Sequence, residues 1–414
     1  MTSKRPGTLI FVSMVPGDVL RAAQQLYERI AIVFEVELPS QLTRTIEQIT
    51  ASPFDETELV RILSDYASRN QVAGVVTFDE RAVIATASMQ KALGLPGNTR
   101  DAAYAARNKF TMRSRFRDAG VATPEFALVR TTEDAAELTR TGLSFPCVLK
   151  PLFGLASEGV LRIDDIGQLE QRLPIVRRVA DRHRAFHLDD PAHDFLLLET
   201  YLPGEEVAVD GFLADGKFLL AGISDKPDPL VGPTFQETIY VSPTSLPARA
   251  ATAVVSEVAR GAAALGLRLG PIHAELRLTP NGPVLLEIGA RAIGGVCGRL
   301  HSYGLGLDYL GIALRSSLGE QIVLPKTHQT PSGVMMIPVP QRGRLEAIDG
   351  IEQARQIEGI RDVIIISRPG DILVGLPETG FYVGFILAVG ESQANVVERL
   401  NECHRTLKFT VTPM

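Results

Sequence analysis

At 414 residues, 45% hydrophobic and 22% charged, the chain has the composition of a soluble globular protein and is too long for one ordinary core, so two or three domains are expected. Its net charge of −6 argues against a nucleic-acid binder, whose phosphate contacts need a surplus of Lys and Arg. Three scattered cysteines, Cys147, Cys297 and Cys403, form no C-x-x-C pair, so neither a disulfide framework nor a zinc ribbon is indicated and a reduced, cytoplasmic setting fits.

The first hundred residues alternate strand and helix patterns. Lys4 and Arg5 precede an apolar run over 9–15 that is too short for a signal segment with a cleavage site and reads as a strand over 8–15. Asp18, after Pro16-Gly17, is a candidate N-cap for a helix to Arg29. A strand over 30–36 follows, then a helix over 56–69 with Leu59, Ile62, Leu63 and Tyr66 on one face. A strand over 72–78 and a helix over 81–93, ending at Gly94, complete a small parallel sheet. No G-x-G-x-x-G follows the first strand, so a dinucleotide fingerprint is missing.

Around Pro96-Gly97-Asn98 the organisation changes. One helix is expected over 101–119, dense in Arg107, Lys109, Arg113, Arg115 and Arg117. Strands over 122–129, 147–150, 160–163 and 195–201 enclose helices over 133–140 and after 163, and a hairpin is expected over 206–223 across Asp215-Gly216. Residues 225–247, with five prolines, read as a long functional loop. An alanine-rich helix over 250–265 leads to strands over 272–278 and 284–288 joined at Pro280-Asn281-Gly282, and the last hundred residues read as a further α+β region. No stretch approaches the roughly 18 apolar residues a membrane helix needs.

Glu275 and Glu287 are carboxylates in otherwise apolar strands that a tight turn makes neighbours. Buried carboxylates need a cation. Mg²⁺ suits, because it takes few protein carboxylates and completes its octahedron with phosphate oxygens and water. A Glu–Arg salt bridge through Arg277 or Arg291 reads equally well from spacing alone. Lys150 ends an apolar strand before a loop holding Gly154 and Gly159, an arrangement that can wrap backbone N–H groups around phosphate. It is not a Walker A loop, and a surface turn with an extended lysine is the alternative. Glu199-Thr200-Tyr201-Leu202-Pro203-Gly204-Glu205-Glu206 ends a strand in a turn, a natural hinge between lobes.

The order of these elements over roughly 101–300 resembles the ATP-grasp superfamily, and the sheet before them resembles its pre-ATP-grasp domain. The implied fold is α/β plus α+β, an ATP-grasp fold preceded by a small parallel-sheet domain. The implied domains are 1–100, 101–300 with a lid subdomain over about 121–203, and 301–414 completing the ATP-grasp core. The resemblance implies that Lys109, Lys150 and Ser157 of the glycine-bearing loop meet the phosphates of ATP. It likewise implies that Glu199, Tyr201 and Leu202 hold adenine, Glu206 the ribose, and Lys226 the γ-phosphate. Glu275 and Glu287 match the magnesium carboxylates, for two Mg²⁺ ions with Mn²⁺ able to take their place.

Many members carry E-x-N at the second metal strand. Here the stretch is Glu287-Ile288-Gly289-Ala290-Arg291-Ala292-Ile293-Gly294-Gly295, a form similar to the L-amino-acid α-ligases, and the segment Phe235-Gln236-Glu237-Thr238-Ile239-Tyr240-Val241-Ser242-Pro243 resembles that branch's substrate loop. That branch implies Arg291 as the catalytic arginine at the acyl phosphate, and an ADP-forming ligase joining an amino acid or other carboxylate to an amine, with a dipeptide as product. Tyr240, His273 and Gly295 are then expected beside the substrates, with the Gly294-Gly295 pair leaving room for a bulky side chain. His273 could be a general base or a histidine that supports the site by hydrogen bonding. Small-molecule partners, no nucleic acid, no membrane and a homodimer are expected. Rival readings are another ATP-grasp activation, of the glycinamide-ribotide-synthetase or bicarbonate type, and a regulatory ATP-binding module without catalysis.

Overall fold

The computed structural model describes residues 4–38, 44–186, 190–324 and 329–414. Alternation along its first strand, β1 (Arg5–Val12), layers the N-terminal part. Leu9 and Phe11 face one side and Ile10 and Val12 the other, as a period of two requires. The helix Gly17–Leu26 packs on the first side through Val19, Leu20 and Ala23. The helix Glu56–Arg69 packs on the second through Leu59, Leu63 and Tyr66. With β2 (Tyr27–Phe34), β3 (Glu47–Thr50) and β4 (Val72–Val76), β1 forms a parallel sheet in the order β3-β2-β1-β4.

Two expectations change here. Asp18 is not the N-cap: the helix begins at Gly17 after Pro16 and has no side-chain cap. Asp18 Oδ2 instead lies 2.5 Å from Arg299 Nε, tying this helix to a distant part of the chain. The helix also stops at Leu26, because Tyr27 already enters β2 and is buried beside Ile30 and Ile32. At the other helix the cap is local, with the Glu58 N–H donating to Asp55 Oδ1 at 2.9 Å.

The single basic helix is two helices, Arg100–Arg107 and Lys109–Asp118. Asn108 separates them with φ −88° and ψ 107°, and its Oδ1 accepts from the Thr111 N–H at 3.0 Å. The break explains the charge density. It turns Arg107, Lys109 and Arg113 into the protein while Arg117 stays in solvent.

A four-stranded antiparallel sheet follows, from β5 (Phe126–Val129), β6 (Cys147–Pro151), β7 (Leu161–Ile163) and β8 (Leu196–Thr200) in the order β5-β8-β6-β7. The helix Ile166–His183 covers one face through Leu169, Leu173 and Val176. The third sheet is long. It joins β9 (Glu205–Ala214), β10 (Lys217–Asp225), β11 (Ile239–Ser242), β12 (Gly270–Thr279), β13 (Gly282–Gly289) and β14 (Ser332–Pro338). A small side sheet holds β15 (Gly343–Asp349), β17 (Ile372–Leu373) and β19 (Lys408–Pro413), while β16 (Ile360–Ile365) and β18 (Tyr382–Val389) return to the long one. The long sheet runs β13-β12-β9-β10-β11-β14-β18-β16.

The proline-rich stretch read as loop therefore contains a strand. Ile239 and Val241 pack with β14 and β18 side chains while Tyr240 faces the opposite cluster, and this strand bridges β10 to β14. Four residues among so many prolines carry too little periodicity to be seen in the sequence. The helices Gly298–Leu305 and Tyr309–Ser317 likewise lie in a stretch to which the sequence pattern assigns no element. Among the described residues no helix is long and apolar enough to cross a membrane.

Candidate active site

The β6–β8 sheet faces the ends of β12, β13, β14 and β18 across a cavity of about 400 Å³. Lys109, Lys150, Ser157, Glu199, Tyr201, Leu202, Glu206, Tyr240, His273, Glu275, Glu287, Arg291 and Gly295 all line it. Lys226 does not; it lies behind the wall, bonded to acids that do.

At one end cations predominate. Lys150 on β6 and Glu199 on β8 form a buried ion pair, and Arg113 Nε donates to the other Glu199 oxygen at 3.0 Å. Burial pushes Lys150 down to about 8, with Arg113 and Lys109 adding to the shift against the pull of Glu199. Burial also disfavours the Glu199 carboxylate, but Arg113 and Lys150 outweigh it and hold that group below the usual range. Lys109 Nζ lies 3.2 Å from Glu287 Oε2 and donates to Gly154 O at 3.4 Å. Its place at the first turn after the Asn108 break thus connects the loop after β6 to β13.

That loop has two non-glycine residues in the left-handed region, Ala156 at φ +49° and Ser157 at φ +57°. Such a backbone needs outside support. The Gly159 N–H donates to Pro377 O at 2.9 Å, and Glu158 Oε1 accepts from the Gly380 N–H at 2.9 Å. Glu158 Oε2 lies 2.9 Å from His183 Nε2. Across the cavity, Tyr201 stacks near Phe235 with Arg162 over its ring at 4.5 Å.

At the other end carboxylates predominate. Antiparallel pairing sets Glu275 on β12 directly opposite Glu287 on β13, so both side chains share one face. Lys226 Nζ donates to Glu206 Oε1 at 2.6 Å and to Glu275 Oε1 at 3.0 Å, and it bonds Glu237 as well. Arg277 Nε is 3.0 Å from Glu206 Oε2. Glu206, assigned by resemblance to a ribose, thus carries two cations. Lys226 would favour losing its proton on burial, yet three carboxylates hold it well above its ordinary value. Burial and the neighbouring Glu275 push the Glu237 carboxyl up to about 8. Glu275 itself lies well below the usual range, because Lys226 and His273 overcome its burial. Glu206, Glu237 and Glu275 are also the group of acids among the described residues close enough to share a cation.

His273 Nδ1 is 2.9 Å from Asp210 Oδ1, and His301 Nε2 is 2.8 Å from Asp210 Oδ2. Burial alone would lower His273, but Asp210 and Glu275 raise it to about 9. A charged imidazole donates and does not take protons, which favours the supporting role over the general base. Tyr240 donates its hydroxyl to Glu237 Oε2 at 2.7 Å.

Arg291, just past β13, has its Nε 2.6 Å from Glu80 Oε2, and Arg107 Nη1 donates to Glu80 Oε1 at 3.0 Å. Gly289 makes this possible, since a Cβ there would sit 3.0 Å from Glu80 Oε2. The Gly295 expectation needs correction. Its φ is +61°, and a Cβ would lie 2.8 Å from Phe385 Cζ, so the ring already fills the room thought to be empty. The open side is at Gly294, where nothing lies within 4 Å.

Sequence reasoning missed Glu80, Asp210, Glu237 and His301, while Arg277, raised as a salt-bridge partner of Glu275 or Glu287, pairs instead with Glu206. Glu237 stands inside the segment 235–243, and its acidity was the available signal. Glu80 lies far from every motif, and Asp210, on the same strand as Glu206, carries no mark of its own, so only tertiary contact brings them in.

Matches to known families divide the chain into parts. An ATP-grasp N-terminal domain matches 21–97, an ATP-grasp domain 143–299, and an L-amino acid ligase C-terminal domain 335–412. The fold is similar to that of an L-amino acid ligase from Bacillus licheniformis, with a TM-score of 0.84, 27% identity, and coverage of 99% of this chain and 100% of that one. Dapdiamide A synthase of Enterobacter agglomerans is 25% identical over 80% of this chain and 78% of its own length. Alanine–anticapsin ligase of Bacillus subtilis is 30% identical over 58% of this chain and 52% of its own. This chain therefore matches only about half of that relative.

Proposed function

Because the chain belongs to the ATP-grasp superfamily of carboxylate–amine ligases, we propose that it joins an amino acid to a second amine, most simply another amino acid, through an acyl phosphate, releasing ADP and phosphate. The observation that carries this reading is the position of Arg291, in the same cavity as two buried lysines and the facing Glu275–Glu287 pair.

Lys109 and Lys150 supply positive charge where a triphosphate would lie, and the loop carrying Ser157 offers backbone N–H groups beside them. The Tyr201–Leu202 turn offers main-chain groups for a base edge. Glu275 and Glu287 fit Mg²⁺, with Glu287 the more open at 34% side-chain exposure. Gly289, where many relatives carry Asn, would offer a bound ion no side-chain ligand, so phosphate or water would take that part. Mg²⁺, when bound, would neutralise phosphate charge during transfer. With the triphosphate held, a substrate carboxylate attacks the γ-phosphorus in line, and the amine then displaces phosphate from the acyl group. Each step develops negative charge on oxygen, which a fixed guanidinium at Arg291 stabilises. The Glu158–Gly380 contact keeps the loop closed, which protects the acyl phosphate from water. The reading places the enzyme in the cytoplasm, beside its nucleotide supply.

The test is a screen of amino-acid pairs for ATP-dependent phosphate release, with product mass and nucleotide product identified. Amide formation with ADP is expected. AMP as product, or phosphate release without any amide from all pairs, would overturn the reading.

A further inference from the structure

We infer that Glu80, at the C-terminal edge of the N-terminal sheet, is the positioning residue that holds Arg291 for the reaction, and that Gly289 is the glycine that admits it. This rests on the ligation proposed above. The N-terminal part carries no motif, yet it sends one carboxylate into the centre of the molecule.

Glu80 is 8% exposed and stands in a single turn of 3₁₀ helix after β4. That turn is built to aim it. Asp79 caps it by accepting from the Arg81 N–H at 3.0 Å, and Ser13 at the end of β1 donates to Asp79 Oδ2 at 2.7 Å. The Glu80 carboxylate then meets Arg291 Nε at 2.6 Å and Arg107 Nη1 at 3.0 Å. A buried guanidinium without such a partner would be an uncompensated charge. The ion pair with Glu80, together with the hydrogen bond that Arg291 Nη1 donates to Ala292 O at 3.1 Å, holds the guanidinium in place and leaves Nη2 for the oxygens of the reacting group.

Position 289 supplies a second, independent observation. An added Cβ would be 3.0 Å from Glu80 Oε2 and 3.6 Å from Arg291 Cζ. Its backbone is not left-handed, so conformational freedom does not explain the glycine. Space does. A Cβ at 289 would press on the carboxylate end of Glu80, which would have to move by a few tenths of an ångström from its place beside Arg291. The positive partners of Glu80 all belong to elements after residue 100, so the pair also fastens the N-terminal sheet to the reacting end of the cavity.

The experiment measures amide formation, phosphate release and ADP affinity for Glu80→Gln, Arg291→Gln and the double variant, with melting temperature as a check. Glu80→Gln is expected to lower kcat for the amide about a hundredfold, as misplacement of a catalytic group does, with ADP affinity within about threefold. In the Arg291→Gln background it should cost less than about twofold more, because two groups acting as one unit do not add. A multiplied loss, or wild-type kcat in Glu80→Gln, overturns the inference. If Glu80→Gln does not fold, Gly289→Ala decides: the same fall in kcat with unchanged ADP affinity supports the assignment, and wild-type kcat ends it. A wild-type enzyme that makes no amide from any pair would refute the ligation reading itself, a result distinct from all of these.

Discussion

Lys150 and Lys226 are equally deep in the protein, at 6% and 8% exposure, and their protonation shifts in opposite directions. Lys150 shares one carboxylate with Arg113 and has Lys109 nearby, so burial wins and its proton is loosely held. Lys226 has three carboxylates to itself, so burial loses. Depth is the same at both ends of the cavity; the balance of neighbouring charge is not. One end is short of anions and the other short of cations, which is the polarity a magnesium–polyphosphate substrate would fit.

The strongest way to break this contrast is to remove Lys226. Lys226→Met should lower stability by about 3–5 kcal/mol near neutral pH, because it strands buried carboxylates. The deficit should shrink as pH falls and those groups take up protons. Denaturant melts at two pH values measure it, and a variant as stable as the parent would mean that Lys226 does not organise that end.

Next is Glu287→Gln, which keeps shape and removes the charge on the open carboxylate. Turnover should fall by well over tenfold, beyond about 1.4 kcal/mol in the barrier, with the fold intact. Retention of more than about a tenth of parental kcat would show that the carboxylate is not central.

The smallest effect sharpens the contrast from the cationic end. Lys150 is charged below about 8 and neutral above it in the ligand-free protein. ADP affinity should therefore fall as pH rises through that value, by up to about tenfold per pH unit. Lys226 should give no such break. Stability runs the other way. Between the depressed value of about 8 and the ordinary 10.5 the unfolded chain binds more protons, so this group makes the fold more stable as pH rises. Titrations of ADP binding against pH, repeated with Lys150→Met, decide it, for the variant should lack the break.

Much of the cavity lining was legible because it is local. Lys150 stands at the end of an apolar strand, Glu199 at the end of another, and the Pro280-Asn281-Gly282 turn forces Glu275 and Glu287 into register. Each is a charge out of place in an apolar run, which periodicity exposes. What stayed hidden is carried across the fold. Asn108 breaks a helix that composition makes continuous, and only the break turns Lys109 inward. Glu237 sat in a stretch read as loop, just before the four-residue β11. Glu80 has no local mark, and Gly295 seemed to offer room that Phe385, ninety residues on, already occupies.

The seam between the loop after β6 and residues 377–380 has a consequence for exchange. Gly159 donates to Pro377 O, Gly380 to Glu158, and Arg182 to Glu378 O. Two of these bonds belong to the loop itself, and at about 0.5–1.5 kcal/mol each they bias it toward its shut position by roughly five- to 150-fold. A nucleotide that enters only when the loop swings out sees that minority fraction, and its apparent affinity is reduced by the same factor. Departing ADP must wait for the same opening. The strength of these contacts to residues 377–380, more than two hundred residues on from the loop, thus enters both how tightly nucleotide is held and how long the spent molecule remains.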